Sequence, residues 1–355
     1  MMLSGILKKE GFRTLSSSTG PEGRTLAQTN PVDLILLDIV MPGENGFETC
    51  RFLKEDSLTA HIPVIFISAL EDVENKVKGL TIGGVDYISK PFEKAEVLAR
   101  TRLHIRLNRA FRAVIKVQQD KLQLIKKAQE NLLVRSPDIP EAKFEILYQP
   151  IHEAGGDYYD VLSISPGIFG YFVGDISGHD VGTSMVTSAL KIALQQNSGP
   201  LFTPGETISI LNELLCPIFN EGQYMTGFYA HLNRNKSMLT YLSAGHPPGI
   251  LIPKDGAPRI LATMGDVVGI FPRIHVDVKE IIVVPGDRFY LFSDGLIEGF
   301  HLKKIQRSEG VNRLQAILME ERNKPLDEVL GIVKARIFPK GSLSEDDIVL
   351  MGVEV

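Results

Sequence analysis

Between Lys94 and Arg135 the chain has neither glycine nor proline, and charged residues alternate irregularly with apolar ones throughout. With nothing there to turn or break the backbone, the stretch reads as one long helix. Within it Leu103, Leu107, Ala110, Val114, Val117, Lys121, Leu124 and Ala128 recur at alternating spacings of four and three, the seam of a coiled coil. That period predicts a homodimer through the helix. The alternative is a helix packed on its own domain, and Lys121 in the seam weighs on that side. At 355 residues, 44% of them hydrophobic and 23% charged, the chain is long enough for two cores.

The two flanks of the helix differ in texture. Before it, DLILLDIV, IPVIFISAL and VDYISK are short apolar runs bounded by turn residues, separated by helical patterns such as GFETCRFLKED and ENKVKGLTIGG. Such alternation predicts a parallel sheet in an α/β domain. After SPDIP at 136–140, strand-like runs with frequent Gly and Pro turns take over, among them KFEILYQPI, FGYFVGDI, YMTGFYAHLN, SMLTYLSAGH and DDIVLMGVEV. Helical stretches near VGTSMVTSALKIALQQ, ETISILNELL, VNRLQAILMEE and LDEVLGIVKARI interrupt them. The expectation is an α+β domain of antiparallel sheet faced by helices.

Several function classes recede on composition. Cys50 and Cys216 are far apart with no CxxC spacing, so neither a disulfide framework nor a zinc knuckle is indicated. No apolar run approaches the roughly 20 residues that span a bilayer, and MMLSGILKKEGF lacks a signal-peptide core, so no membrane partner and a cytoplasmic location are expected. A formal charge of −5, with no basic recognition helix after the linker, argues against a nucleic-acid surface.

Carboxylates recur where apolar runs end. Asp175 closes IFGYFVGD, Asp294 follows YLFS, Asp346 and Asp347 open the last strand in SEDDIVLM, and Asp157 and Asp160 follow a glycine pair in HEAGGDYYDVL. Strand ends meet at the rim of a sheet, where acids distant in sequence converge. Converging acids without cationic partners repel and lose hydration, so such a cluster either stays apart or holds cations. Oxygen donors with no clustered Cys or His select Mg²⁺ or Mn²⁺ over zinc. Two such ions roughly 3.5–4 Å apart can activate a water and clamp a phosphoryl group.

The motifs GGDYYDV, VGDISGHD, YLSAGHPPGIL, LFSDGLIEG and EDDIVLM, in this order, resemble the SpoIIE/RsbU-like branch of the PPM metal-dependent serine/threonine protein phosphatases, over roughly residues 138–355. The resemblance implies two antiparallel sheets flanked by helices, with a binuclear Mn²⁺ or Mg²⁺ centre at one edge. Carried over by motif, Asp175 would bridge the ions, Asp294 and Asp346 would complete one ion's site, and the Ile176 carbonyl would serve the other. Asp157 would join the acidic cluster directly or through water. Asp347, Asp160 and Asp180 read as supporting residues. Asp180 stands where the family most often has glycine, and reads as a cap at a helix start, with a ligand role as the alternative. His179 and His246 invite a general-acid role or a buttressing one.

DLILLDIVMPGENGFE, PVIFISAL and GGVDYISKPF resemble a response-regulator receiver domain of flavodoxin-like fold over about residues 3–100. By that resemblance Asp38 is the phosphoacceptor, Ser68 and Lys90 contact the phosphoryl group, and Tyr87 is the switching aromatic. A receiver starts with a central strand ending in two acids that hold Mg²⁺, whereas this chain opens inside what should be the first helix, LSGILKKEGF. Before Asp38 the acids are Glu10, Glu22 and Asp33, and none ends an apolar strand. The chain is therefore expected to be an N-terminal truncation of a longer protein, with its front domain either loose or repaired by direct pairing of the remaining strands, and control through Asp38 broken.

The resulting expectation is a receiver with its first strand missing at 1–100, a helical coiled-coil linker at 101–137 and a phosphatase domain at 138–355. Its implied partners are a sensor histidine kinase upstream and a phosphoprotein substrate, by family an anti-anti-sigma (STAS) protein of a partner-switching system. The rival reading is a metal-free phosphatase-fold scaffold that only docks a regulatory partner.

Overall fold

A computed structural model describes residues 2–69, 73–151, 155–178, 181–298, 307–339 and 346–355. The chain divides into two compact units, Met1–Asp120 and Lys121–Val355, and the division falls inside the long helix.

In the first unit the elements run α1 (Met2–Lys9), α2 (Gly20–Thr29), β1 (Ile35–Asp38), α3 (Gly46–Glu55), β2 (Val64–Ser68), α4 (Val73–Thr81), β3 (Asp86–Ser89) and α5 (Lys94–Glu130). The three strands pair in parallel in the order β1–β2–β3, with Ile35 opposite Val64 and Phe66 opposite Tyr87. Every residue of β2 is buried because both its faces are covered. Leu37, Val64 and Phe66 pack with Ala27 of α2 and Cys50 and Leu53 of α3 on one face. Ile65, Ile67 and Ile88 pack with Val97 of α5 on the other. Helix α3 starts where it does because Asn45 accepts from the Glu48 amide while the Glu48 carboxylate accepts from the Asn45 amide, a capping box. Among the described residues no strand precedes β1, and the sheet has three parallel strands.

The foot of α5 is strapped to this unit by charge. Arg100 and His104 both reach Asp86, Lys94 and Arg102 both reach Glu10, and Arg109 reaches Asp33. Further along, the seam is bare: Leu107, Val114 and Leu124 are 54%, 59% and 70% exposed. Among the described residues no helix is long and apolar enough to cross a membrane.

The second unit holds β4 (Phe144–Gln149), β5 (Asp157–Ser165), β6 (Ile168–Ile176), α6 (Val181–Gln196), α7 (Pro204–Leu215), β7 (Met225–Asn233), β8 (Met238–Ala244), β9 (Gly249–Ile252), β10 (Arg259–Leu261), β11 (Lys279–Ile282), β12 (Arg288–Phe292), α8 (Asp294–Glu298), α9 (Arg307–Glu320), α10 (Leu326–Ile337) and β13 (Ile348–Glu354). Two antiparallel five-stranded sheets form, β10–β9–β12–β13–β4 and β11–β8–β7–β6–β5.

Period-two alternation sorts their side chains into layers. Tyr159, Tyr171, Val173 and Phe228 from one sheet meet Phe289, Leu291, Val349 and Met351 from the other, making the core between the sheets. Their neighbours Tyr158, Phe172 and Tyr229 face the opposite way, onto Val186 and Leu190 of α6 and Ile208 and Leu211 of α7. On the far side Tyr290, Phe292 and Leu350 pack against Leu314 of α9 and Val329 and Val333 of α10. The result is a helix–sheet–sheet–helix sandwich.

Candidate functional site

In the β5–β6–β7 ladders Asp157 lies opposite Asp175, and Asp175 lies opposite Thr226. Residues directly opposite in a ladder share a face, and these three have the parity of Tyr159, Val173 and Phe228, so the row closes one end of the inter-sheet core. Asp157 is buried, and its Oδ2 has no hydrogen-bond partner among the described residues. Burial drives its carboxyl well above the ordinary range, the charges of Asp175, Asp347 and Asp346 push the same way, and the Ser293 hydroxyl opposes them.

Sequence-distant pieces complete this end. Asp346 and Asp347 precede β13, and Asp294 opens α8 directly after β12, its antiparallel partner. A Cβ added to Gly295 would stand 2.1 Å from the Asp347 carbonyl and 3.1 Å from Asp346 Cβ, so only glycine lets the Asp294 turn back onto Asp346. Gly156 has the same role on the other side. A Cβ there would meet the Ile176 carbonyl oxygen at 2.5 Å and Asp175 Oδ1 at 3.0 Å. The Ile176 amide donates to the Gly156 carbonyl at 3.1 Å, which ties Ile176 to the glycine that precedes Asp157.

The supporting residues separate cleanly. Asp347 is 2% exposed and its two carboxylate oxygens accept from the amides of Ile151, at 2.7 Å, and Gly156, at 3.0 Å. It thus ties the residue that follows β4 by two positions, Ile151, to the glycine directly before Asp157. Asp160 faces the helix side, where it meets the Tyr158 hydroxyl at 2.9 Å and Lys191 at 3.4 Å, and so stands apart from the cluster. His246 is buried with both ring nitrogens engaged, and burial lowers its imidazole to about 3, which suits a buttress. His179 and Asp180 lie outside the described residues. Thr226 and Ser293 drew no notice in the sequence; the parity of MTGFYAHLN and the strand-end position of Ser293 are the signals that point to them.

Asp157, Asp175, Asp294 and Asp346 thus stand at strand ends on one edge of the sandwich, and Asp157 Oδ2 is buried there without a hydrogen-bond partner among the described residues. Among the described residues no three His, Cys, Asp or Glu side chains stand at metal-holding distance from one another.

In the first unit Asp38 ends β1, Ser68 ends β2 and Lys90 follows β3, so all three stand at the C-terminal edge of a parallel sheet. The Lys90 ammonium pairs with Asp38 Oδ2, and the Lys90 amide donates to the Ser68 carbonyl at 2.8 Å. Tyr87 packs on Phe66 with ring centroids 5.3 Å apart. The three acids before Asp38 are engaged elsewhere, Glu10 with Lys94 and Arg102, Asp33 with Arg109, and Glu22 with the Ser18 amide.

Residues 165–355 match the family described as Stage II sporulation protein E (SpoIIE). The chain belongs to the SpoIIE family. Residues 1–102 match the response regulator receiver domain, so this SpoIIE-type phosphatase domain follows a receiver. The chain is 38% identical over 106 residues to the transcriptional regulatory protein YvrH of Bacillus subtilis, covering 30% of this chain and 44% of that protein. It spans less than half the length of that relative. Among solved structures, the SiaA-PP2C domain of Pseudomonas aeruginosa has a TM-score of 0.60 at 18% identity, covering 68% of this chain and 99% of that one. The RsbU and RsbW domains of Rv1364c from Mycobacterium tuberculosis give a TM-score of 0.52 at 21% identity, covering 60% of each chain. Both share the fold of the second unit, the two-sheet sandwich that its SpoIIE motifs imply.

Proposed function

We propose that this SpoIIE-family chain is a metal-dependent phosphoprotein phosphatase under receiver control, acting on phosphoserine or phosphothreonine. The observation that carries it is the buried, unpartnered Asp157 oxygen in a row with Asp175 at the end of the inter-sheet core. A buried lone carboxylate oxygen among other acids is costly unless a proton or a cation neutralises it, and a divalent cation neutralises several of these acids at once. Asp157, Asp175, Asp294 and Asp346, with the Ile176 carbonyl, would hold Mn²⁺ or Mg²⁺, and Asp175, between the row and the strand end, would serve two ions. Bound there, the ions supply Lewis acidity that sharpens a water nucleophile and charge that offsets the phosphoryl oxygens. The chain's own contribution is to aim the acids. Asp347 holds the glycine before Asp157, Gly156 and Gly295 admit the close backbone approaches, and the sandwich core keeps the far side of the row dry.

The receiver's Asp38, with Ser68, Lys90 and Tyr87 around it, would take a phosphoryl group from a sensor histidine kinase. Helix α5 is the covalent path between the units, and its last turn belongs to the second one, where Gln129 donates to the Gly155 carbonyl at 3.4 Å, next to Gly156. The substrate proposed is a STAS-type phosphoprotein, on the family resemblance of the motifs. Cytoplasmic residence accords with two cysteines held as free thiols.

The test is hydrolysis of p-nitrophenyl phosphate with and without Mn²⁺. Asp175→Asn keeps the shape of the side chain and removes its charge, so turnover is expected to fall at least about 100-fold while circular dichroism stays unchanged. Wild-type turnover by this variant at saturating Mn²⁺ would refute the metal assignment. A parent chain that neither binds Mn²⁺ nor hydrolyses the ester would favour the metal-free docking scaffold.

A further inference from the structure

His246 sits in the turn between β8 and β9, and its ring spans the two sheets at the acidic end. Nδ1 lies 2.9 Å from Thr226 Oγ1, and Nε2 lies 3.2 Å from the Phe292 carbonyl oxygen. A carbonyl only accepts, so Nε2 carries the proton, and Nδ1 accepts from the threonine hydroxyl. Thr226 is the ladder partner of Asp175 in one sheet. Phe292 is two residues ahead of Asp294 in the other. The turn itself is fixed: Ser243 Oγ accepts from the His246 amide at 3.0 Å and donates to its carbonyl at 2.8 Å, and Gly245, at φ +68°, bridges to Gly227.

From this geometry we infer that His246, acting through Thr226 and Phe292, is a positioning residue that sets the separation of the Asp175 and Asp294 strand ends and thereby the affinity for divalent cations. The inference rests on the metal reading above. Like charges at that edge push the two sheet ends apart before a cation arrives, and apolar packing there gives way to polar side chains. A neutral imidazole bonded to both sheets opposes that splay without adding charge. Ring and hydroxyl thus hold the strands that carry the acids rather than the acids themselves; loss of groups that support metal ligands costs about 10- to 100-fold in metal affinity, and the lower end is expected here.

Calorimetric titration of the full chain with MnCl₂ tests this on the parent, Thr226→Val, Thr226→Ser and His246→Asn. Thr226→Val keeps the shape and removes the donor, and Thr226→Ser keeps the donor and removes a methyl. About 10-fold weaker Mn²⁺ binding is expected for Thr226→Val and for His246→Asn, with near-parental binding for Thr226→Ser. The thermal unfolding midpoint without metal is expected to fall for Thr226→Val, which leaves the buried His246 Nδ1 unpaired, and to stay near-parental for Thr226→Ser, whereas a packing role would be hurt by serine and spared by valine. Parental Mn²⁺ affinity in Thr226→Val, or a loss in Thr226→Ser as large as in Thr226→Val, overturns the inference alone. A parent chain that takes up no Mn²⁺ overturns the metal reading together with it.

Discussion

Asp157 and Asp160 stand three positions apart on one strand, and that odd spacing gives them opposite surroundings. One ends the inter-sheet core among other acids, and the other is sealed under α6 with Lys191 and the Tyr158 hydroxyl. Two histidines follow the same logic of burial. Desolvation lowers His246 to about 3 and His231 to about 4, against 6.5 for an ordinary imidazole. Both are therefore neutral in the folded chain and protonate when it unfolds. A depressed base contributes stability that is complete above pH 6.5 and is lost as pH falls toward the folded value. At pH 5 the loss is about 2 kcal/mol for each histidine, from about 1.4 kcal/mol per unit below 6.5. Urea midpoints are expected to fall steeply between pH 7 and pH 5, and His231→Gln is expected to flatten the slope by about one proton. An unchanged slope in that variant would show that His231 is not the group titrating.

Helix α5 is where the sequence pattern and a single chain disagree. Its first turns are buried at Val97, Leu98 and Thr101 and are strapped by ion pairs, yet beyond Leu103 the four-and-three seam faces water. A helix with an apolar stripe that its own units leave bare gains by burying the stripe against a copy of itself. The expected species is a dimer by light scattering. Leu107→Glu with Val114→Glu places like charges in the seam and is expected to give the monomer mass. A parental chain that runs as a monomer at tens of micromolar would remove the coiled coil from the account, leaving Lys121 as the residue that had warned against it.

On the scale of the whole molecule, the cores belong to separate units. Among the described residues two clusters sandwich the parallel sheet of the first unit and three fill the sandwich of the second, and the two units share none. Two calorimetric unfolding transitions are expected, and only the one belonging to Lys121–Val355 is expected to rise with Mn²⁺. At a hundredfold excess over the dissociation constant the gain is about 2.7 kcal/mol. A single cooperative transition, or one in which both steps shift with Mn²⁺, would show that the units do not unfold independently.

The alternation of apolar runs, the glycine-free helix and the strand-end acids are local properties, and from them alone the α/β unit, the long helix, the α+β unit and the candidate acids were legible. Period and turn chemistry are written residue by residue, so no partner is needed to read them. What only the tertiary structure decided is which acids share an edge and what aims them. Nothing near Asp347 in the sequence says that it will hold the amides of Ile151 and Gly156, nearly two hundred residues away, and nothing near His246 says that it will join Thr226 to Phe292. Those bonds exist because two sheets stack face to face, and the register of each strand against its neighbours is a property of the assembled sandwich.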